Sequence, residues 1–330
     1  MIRPLKIAQF FLIAVSLILI VSCGGERHSD ADSSDTVIYV SVPPYLGLVE
    51  AMAGDLVRVE SLISAKDDPH TYTPTPKELA RLSTATIYFT AELPFESKLI
   101  EKLEEGKSPV RVVSLVDQLP RRSFGDGEHD HEAEHDHEAE HDHEAEHDHE
   151  SDHSDHGHDE PAPHSEELDP HVWLSPTLLI KQVQTMESTL TGLLKSDSEK
   201  QQLAANTLRL IEMISETDRE LSEQLAPMRG KSFYVYHGAF GYFADAYGLN
   251  QVPVEISGRS PEPKQIAKMI DQARKDGVTV IFVQPQFDSS SAAALAESIN
   301  GTVIPIDPLA HDVIANLREI AAKLGSTMTH

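Results

Sequence analysis

The sequence predicts an α/β protein in which two lobes are joined by one long helix. Two separate stretches, residues 37–113 and 232–324, alternate strand-like and helical segments. Between them, residues 198–225 carry apolar side chains at helical spacing, and Pro227 ends that pattern. The chain of 330 residues is long enough for about two domains of roughly 150 residues each.

The first stretch has the pattern of a parallel sheet flanked by helices. Its strand-like runs are rich in β-branched and aromatic residues, and helical segments separate them, which is the βαβ arrangement. The predicted strands are residues 37–42, 56–63, 85–90 and 110–113, and the predicted helices are residues 46–53, 76–82 and 95–103. We assign these elements to an N-terminal lobe, residues 37–196.

Two helical segments lead from the first lobe to the second. One covers residues 176–194. The other is the linking helix, assigned to residues 197–226, and a helix of this length between two α/β regions can act as a rigid strut. Its apolar stripe consists of Leu203, Leu210, Ile214, Leu221 and Leu225.

The C-terminal lobe, residues 227–330, resumes the alternation of strands and helices. Strands are predicted at residues 232–236, 251–256, 278–283 and 302–306, and helices at residues 239–247, 262–275, 290–299 and 312–324. Buried-looking runs such as residues 278–283 again favour a sheet covered by helices.

The N-terminus has the features of an export signal. Arg3 and Lys6 precede an apolar run at residues 10–21, and small residues follow it. At about 1.5 Å per residue this run is short for a bilayer core of about 30 Å, although a short membrane anchor is the alternative. We therefore assign residues 1–22 to a signal peptide.

Cys23 is the only cysteine in the chain. It follows Ile20-Val21-Ser22, and the four residues together resemble the lipobox of a bacterial lipoprotein. The resemblance implies acylation of the Cys23 thiol, with residues 23–36 as a tether between the lipid and the folded part. The alternative is a cysteine that stands near the signal by chance.

The formal net charge of −27 is concentrated in one segment. Residues 126–160 hold 17 carboxylates and no Lys or Arg, and the rest of the chain carries −10. The same segment contains 11 of the 18 histidines and a repeated hexapeptide, EHDHEA. We expect a disordered His/Asp/Glu-rich loop at residues 126–164, inserted in the N-terminal lobe. This composition argues against nucleic-acid binding, because phosphate contacts need clustered Lys and Arg.

Four polar residues are candidate ligands for the edge where open α/β sheets bind ligands, and three of them follow predicted strands. His70 comes after the second strand, and His171 comes after the loop in the same tripeptide, Asp-Pro-His. His237 and Asp307 directly follow the strands at residues 232–236 and 302–306. Three imidazoles and one carboxylate suit zinc. Each residue also has an ordinary interpretation, a boundary histidine or an Asp-Pro turn, and the residues alone leave both open.

Longer motifs around these residues resemble a known family. The segments are DPHTYTPTPKE (68–78), DPHVWLSP (169–176), YHGAFGYFADAYGL (236–249), residues 260–287 and IDPLA (306–310). They resemble the zinc and manganese solute-binding proteins of bacterial ABC importers, the ZnuA/TroA-like family, and the resemblance covers nearly the whole mature chain in order. It implies two pseudo-symmetric lobes, each with a parallel sheet, bridged by one long helix.

The resemblance also implies a metal buried between the lobes. His70, His171 and His237 fall on the first three ligand positions of the family and Asp307 on the fourth. An imidazole at the third position is associated with zinc in this family, and ligand softness favours the same metal. The disulfide of some family members is excluded here, because the chain has one cysteine.

The function expected from these features is extracytoplasmic capture of Zn²⁺ and its delivery to an ABC permease and its ATPase. The protein is expected to be a monomer, anchored to the membrane through acylated Cys23 on the periplasmic or cell-surface side. Four protein ligands leave no open position for water, so we expect a binding protein and not an enzyme.

The loop is expected to hold a second, weaker pool of metal. Its histidines and carboxylates are abundant, but ordering the chain around each ion costs entropy. The alternative is a charged insert with no role in transport. The histidines concerned are His129, His131, His135, His137, His141, His143, His147, His149, His153, His156 and His158.

Three other functions are compatible with parts of the sequence. A secreted zinc hydrolase would use Asp307 as a base, but His70, His171 and His237 do not lie in an HExxH, which occurs only in the repeat of the loop, and the chain has no GxSxG-type nucleophile. A surface adhesin or metal-storage lipoprotein would use the same fold for another purpose. Manganese or nickel specificity is the third alternative.

Overall fold

The structure, a computed structural model, describes residues 36–123, 168–255, 261–287 and 290–328. The predicted signal peptide, Cys23, nearly all of the tether and the His/Asp/Glu-rich loop with its eleven histidines lie outside the described residues. Of the helices that are described, none is both long and apolar enough to cross a membrane.

The N-terminal lobe contains a four-stranded, all-parallel sheet with the strand order β2-β1-β3-β4. Its strands are β1 (Val37–Val40), β2 (Arg58–Ser61), β3 (Ile87–Thr90) and β4 (Arg111–Ser114). Its helices are α1 (Pro43–Ala53), α2 (Pro76–Leu82) and α3 (Pro94–Glu105). Each of these helices starts with proline, whose fixed φ and missing N–H suit the first helical position.

The C-terminal lobe contains a second four-stranded parallel sheet, with the order β6-β5-β7-β8. Its strands are β5 (Ser232–Val235), β6 (Asn250–Pro253), β7 (Val280–Val283) and β8 (Thr302–Pro305). Its helices are α6 (Gly241–Tyr247), α7 (Pro263–Lys275), α8 (Ser290–Ser298) and α9 (Val313–Met328). In both sheets the first strand along the chain lies between the second and the third, so the lobes share one topology.

Two helices, α4 (Pro176–Thr191) and α5 (Asp197–Leu225), connect the lobes. The 29-residue helix α5 begins with a capping box, in which the Ser196 hydroxyl accepts from the Glu199 N–H and the Glu199 side chain accepts from the Ser196 N–H. It packs against α1 and α4 on the N-terminal side and against α6 and α9 on the C-terminal side. The predicted stripe is buried along its full length: Leu203, Leu210, Ile214, Leu221 and Leu225.

The predicted fold class is therefore confirmed, and the differences are shifted element ends and short 3₁₀ turns. The first helix starts three residues earlier than predicted, because Pro43 and Pro44 occupy its first turn. The strand predicted at residues 56–63 is limited to β2, since a 3₁₀ turn at Gly54–Leu56 precedes it. A second 3₁₀ turn, Val172–Leu174, follows His171 and was not predicted.

Candidate metal centre

Three of the four predicted site residues meet between the lobes. His70, His171 and His237 each offer one ring nitrogen, and these nitrogens all lie within 4.8 Å of one another. Their ring centroids are 4.7–5.4 Å apart. Zinc bonds to imidazole nitrogen at about 2.0–2.1 Å, so three nitrogens this close together are candidates to hold one ion. Within the described ranges this is the one such group of three or more His, Cys, Asp or Glu donors.

His237 is held at the ends of three neighbouring strands. It lies two residues beyond β5 and is 3% exposed. The Gln284 side chain, just after β7, accepts from the His237 N–H at 3.1 Å and donates to its carbonyl at 2.6 Å. Glu255, just after β6, is hydrogen-bonded to His237 Nδ1 and is itself buried. These contacts fix both the backbone and the ring.

His171 is held by a carboxylate two residues before it. Asp169 Oδ1 accepts from the His171 N–H at 2.9 Å and lies 2.8 Å from His171 Nδ1. Both residues are 1% exposed. The Trp173 ring packs against the His171 ring with centroids 5.3 Å apart, and its Nε1 donates to the Pro308 carbonyl at 2.8 Å. Through Trp173, the segment that carries His171 is therefore joined to the C-terminal lobe.

His70 lies on a loop beyond β2 and is half-buried. Here the carboxylate of the Asp-Pro-His tripeptide binds the backbone, since Asp68 Oδ1 accepts from the His70 N–H at 2.9 Å. A cavity of about 280 Å³ adjoins the residue and is also lined by Tyr72 and Phe95. His70 is therefore the ring of the cluster that lies nearest to an opening.

The cluster favours imidazoles without a proton. Burial, followed by the two neighbouring imidazoles, lowers the pKa of His70 to about 2. Burial also lowers the pKa of His171, against the opposing effect of Asp169. Zinc binds the neutral form of imidazole, so protons compete weakly for these two rings in the folded protein.

Asp307, the fourth predicted residue, is not in the group of mutually close donors. It lies two residues beyond β8, and its Oδ1 accepts from the Gln286 side chain at 2.8 Å and from the Leu309 N–H at 2.8 Å. Gln286 Nε2 also donates to the Ala65 carbonyl at 2.7 Å, on the loop that leads to His70. The carboxylate is thus connected to that loop through one amide.

Sequence reasoning missed the two carboxylates that orient the rings. The signal for Asp169 was its tripeptide, which occurs twice, but the same position in the first copy binds only backbone and Thr71. The signal for Glu255 was a single acid in the strand predicted at residues 251–256, otherwise free of charge. Neither sequence feature indicates which imidazole the carboxylate contacts.

Comparison with known proteins finds a family whose profile covers most of the chain. The profile of the ZnuA family, described as "Zinc-uptake complex component A periplasmic", matches residues 38–324. Zinc-binding lipoprotein AdcA of Streptococcus pneumoniae is 27% identical over 304 residues, which cover 90% of this chain and 53% of AdcA. The chain therefore spans about half the length of that relative.

Two further relatives match over most of their length. High-affinity zinc uptake system protein ZnuA of Bacillus subtilis is 28% identical over 302 residues, covering 89% of this chain and 86% of the relative. A crystal structure of ZnuA superposes with a TM-score of 0.73 at 29% identity, covering 89% of this chain and 99% of that one. The family resemblance stated from the sequence motifs is thus confirmed.

Proposed function

We propose that this chain, which belongs to the ZnuA family of periplasmic zinc-uptake components, holds Zn²⁺ through His70, His171 and His237. The family consists of substrate-binding proteins for zinc uptake and not of enzymes. The observation that carries the proposal is the meeting of three imidazoles from two lobes, with buried carboxylates behind two of them. Such carboxylates fix the ring orientation and raise the basicity of the ligand nitrogen. Because they bind Nδ1 of His171 and His237, the Nε2 atoms of those rings are the proposed ligands.

Asp307 is proposed as the fourth ligand, through Oδ2. Its other oxygen, Oδ1, already accepts from Gln286 and from the Leu309 N–H. Three imidazoles and a carboxylate form a closed tetrahedral set, which leaves no position for a reactive water. Such a site binds and releases an ion and does not hydrolyse a substrate.

We also propose where the protein acts and to which partner it delivers the ion. The chain is exported, acylated at Cys23, and passes Zn²⁺ as a monomer to an ABC permease with its ATPase. Support comes from the lipobox-like sequence and from AdcA, a relative named as a zinc-binding lipoprotein. Since His70 and His171 lie in one lobe and His237 in the other, a movement between the lobes would separate the ligands and release the ion.

The His/Asp/Glu-rich loop is proposed to hold further zinc ions weakly. The described residues that flank the loop meet near His171 in the chain: Ser123 and Leu168 form an antiparallel bridge, and Leu168 is three residues before His171. Deleting residues 128–158 tests this proposal by zinc titration. The tight site should survive and the additional weak binding should disappear, whereas an unchanged stoichiometry would contradict a role for the loop.

The decisive experiment is the metal content of protein purified without added metal, followed by zinc titration against a chelator. Parent protein should hold one tight zinc, and His237→Ala should hold none. His311→Ala is the matched control, because His311 is an exposed histidine that pairs with Glu50 at 2.7 Å outside the cluster. A His237→Ala variant that keeps one tight zinc would refute the site. Competition with Mn²⁺ and Ni²⁺ in the same assay tests the choice of metal.

Delivery is tested by growth in chelated medium. A strain that lacks this protein should require added zinc, and the parent gene should remove that requirement. The His237→Ala gene should not, while His311→Ala should. Restoration of growth by the His237→Ala gene would mean that growth does not depend on the proposed interlobe site.

A further inference from the structure

The described residues on the two sides of the His/Asp/Glu-rich loop meet in a short structure that we call the loop stem, residues 121–123 and 168–170. Ser123 and Leu168 form an antiparallel bridge, and the Asp169 N–H donates to the Arg122 carbonyl at 2.9 Å. Asp169 is also the residue that holds the His171 ring. The stem therefore includes Asp169, the carboxylate that orients one proposed zinc ligand.

Arg122 lies between this carboxylate and the opposite lobe. Its Nε is 3.7 Å from Asp169 Oδ2, and its Nη1 is 3.6 Å from Asp245 Oδ2 on α6. The Arg122 side chain is 16% exposed and that of Asp169 is 2% exposed, so the first pair is well shielded from water. Asp169 thus uses one oxygen for the His171 ring and turns the other towards a cation that also faces the C-terminal lobe.

Tyr242 on α6 strengthens the same contact. Its hydroxyl accepts from the Arg122 N–H at 3.2 Å and donates to the Asp169 carbonyl at 3.1 Å. The Arg122 Cζ lies 5.9 Å from the centre of the Tyr242 ring, within the range of a cation–π interaction. One side chain of the C-terminal lobe therefore binds both strands of the stem.

Gly241 leaves the space that the guanidinium occupies. A Cβ atom at this position would lie 1.7 Å from Arg122 Nη1 and 2.3 Å from its Cζ. Gly241 does not have a positive φ, so the backbone alone does not require glycine here. The first residue of α6 is therefore explained by the close approach of Arg122.

We propose that Arg122 is a positioning residue for the zinc site, which couples the orientation of His171 to the contact between the loop stem and α6. The inference rests on the proposed function. Both ion pairs are longer than hydrogen bonds, so attraction holds the stem and α6 together without locking them. Separation of the stem from α6 would withdraw the cation from Asp169 and loosen the ring that Asp169 holds.

The test measures zinc affinity by chelator competition in the full mature chain, together with the visible spectrum of one bound equivalent of Co²⁺. Arg122→Ala should weaken zinc binding by about 10- to 100-fold, the usual effect of removing an outer support of a metal ligand. It should also change the Co²⁺ spectrum, which reports ligand geometry. Arg122→Lys keeps a charge between the carboxylates and should recover part of the affinity.

Gly241→Ala provides a second test without altering any charged residue, because its methyl group displaces the guanidinium. It should reproduce the loss and the spectral change, also when Arg122→Ala does not fold. Arg219→Ala is the control: Arg219 is 57% exposed and bridges Glu216 and Glu223 on α5. It should behave as the parent protein.

The outcomes separate this inference from the proposed function. Failure of the parent and of Arg219→Ala to hold one tight zinc would refute the proposed function itself. A parent that binds zinc, with folded Gly241→Ala of unchanged affinity and spectrum, would overturn only the role of Arg122. An Arg122→Lys variant as weak as Arg122→Ala would overturn the claim that a charge at this point is what matters.

Discussion

The two sheets share one topology but differ at the edge that faces the metal centre. Backbone hydrogen bonds identify equivalent positions: Ser41 donates to Phe89 as Tyr236 donates to Phe282. In the same way, the residues after β2, β3 and β4 correspond to those after β6, β7 and β8. Four pairs follow, with the N-terminal residue first: Val42 and His237, Ile63 and Glu255, Ala91 and Gln284, Val116 and Asp307.

The difference shows how one topology supplies ligands in two ways. All four N-terminal residues are apolar and at most 1% exposed, so that edge is part of the core. The N-terminal lobe therefore presents His70 and His171 on segments beyond the strands. The C-terminal lobe presents His237 inside the strand framework, with Glu255 and Gln284 around it. We infer that the C-terminal half of the site is the more rigid one.

The largest effect is expected when residues at the C-terminal edge are replaced by the residues at the equivalent N-terminal positions. His237→Val should reduce zinc affinity by more than about 100-fold, beyond the range of outer-support substitutions. It also leaves buried Glu255 without the imidazole, at a cost of about 1–3 kcal/mol in the free energy of unfolding. The double variant His237→Val/Glu255→Ile should recover that stability without recovering zinc binding, because a buried polar pair replaced by apolar groups is nearly neutral.

Urea unfolding of the metal-free variants and zinc competition measure the two effects separately. The double variant is its own control for folding, since Val42 and Ile63 are buried in the equivalent positions. A double variant no more stable than His237→Val would show that the carboxylate is not what destabilises the single variant. Tight zinc binding by either variant would refute His237 as a zinc ligand.

The next effect concerns the carboxylates behind the rings. Glu255→Gln should weaken zinc binding by about 10- to 100-fold, because the amide still accepts a hydrogen bond from Nδ1 but no longer raises the basicity of the ring. Asp169→Asn should have an effect of the same size, since Asp169 makes the same contact with His171. Asp68→Asn is the control, because Asp68 binds the His70 backbone instead of its ring.

Zinc competition on the three variants tests whether the two supported rings are equivalent. Similar losses for Glu255→Gln and Asp169→Asn, with a smaller loss for Asp68→Asn, are expected. A loss confined to Glu255→Gln would mean that only the C-terminal half of the site depends on an outer carboxylate. The two lobes would then differ more than the similar contacts of Glu255 and Asp169 indicate.

The pH dependence of stability isolates the N-terminal half. The unfolded chain protonates His70 near the ordinary imidazole value of about 6.5, whereas the folded protein lowers the pKa of His70 to about 2. Unfolding therefore takes up a proton between these values, and the free energy of unfolding falls as pH falls. Between about pH 7.5 and pH 5 the metal-free parent should lose about 2 kcal/mol more than His70→Asn.

Glu96 supplies a control of opposite sign in the same lobe. Burial raises the pKa of its carboxyl to about 7, so the folded protein holds a proton that the unfolded chain releases. Glu96 therefore adds stability as pH falls from about 7 towards the ordinary value of about 4.3. Glu96→Gln should lose stability more steeply on acidification than the parent. Urea unfolding across this range decides both signs, and identical slopes for parent and His70→Asn would contradict the first.

Much of the fold followed from local patterns. Alternating segments and the stripe from Leu203 to Leu225 depend on neighbours in sequence, so their periodicity is visible without a structure. His237 and Asp307 each lie two residues beyond a strand, and their positions near strand ends were predictable for the same reason. Glu255 was not, because its contact with His237 depends on which strand lies beside β5. The contact of Arg122 with α6 spans 120 residues, and no local pattern reports it.

The smallest effect, and the one that most sharpens the comparison, concerns Asp307. Its equivalent in the N-terminal lobe is the buried Val116. Substitution of Asp307 therefore tests whether the C-terminal edge contributes one ligand or two. Asp307→Asn keeps an oxygen to accept from Gln286 and from the Leu309 N–H but removes the charge. We expect zinc affinity to fall by about 10-fold, because the three imidazole ligands remain.

Asp312→Asn is the matched control, since Asp312 accepts from the Ala315 N–H at 2.9 Å in the same segment and lies outside the cluster. Its zinc affinity should equal that of the parent. If Asp307→Asn also matches the parent, zinc is held by the three imidazoles and Asp307 serves the turn after β8. The C-terminal lobe would then supply a single ligand, and the N-terminal lobe, despite its apolar edge, would supply two of the three.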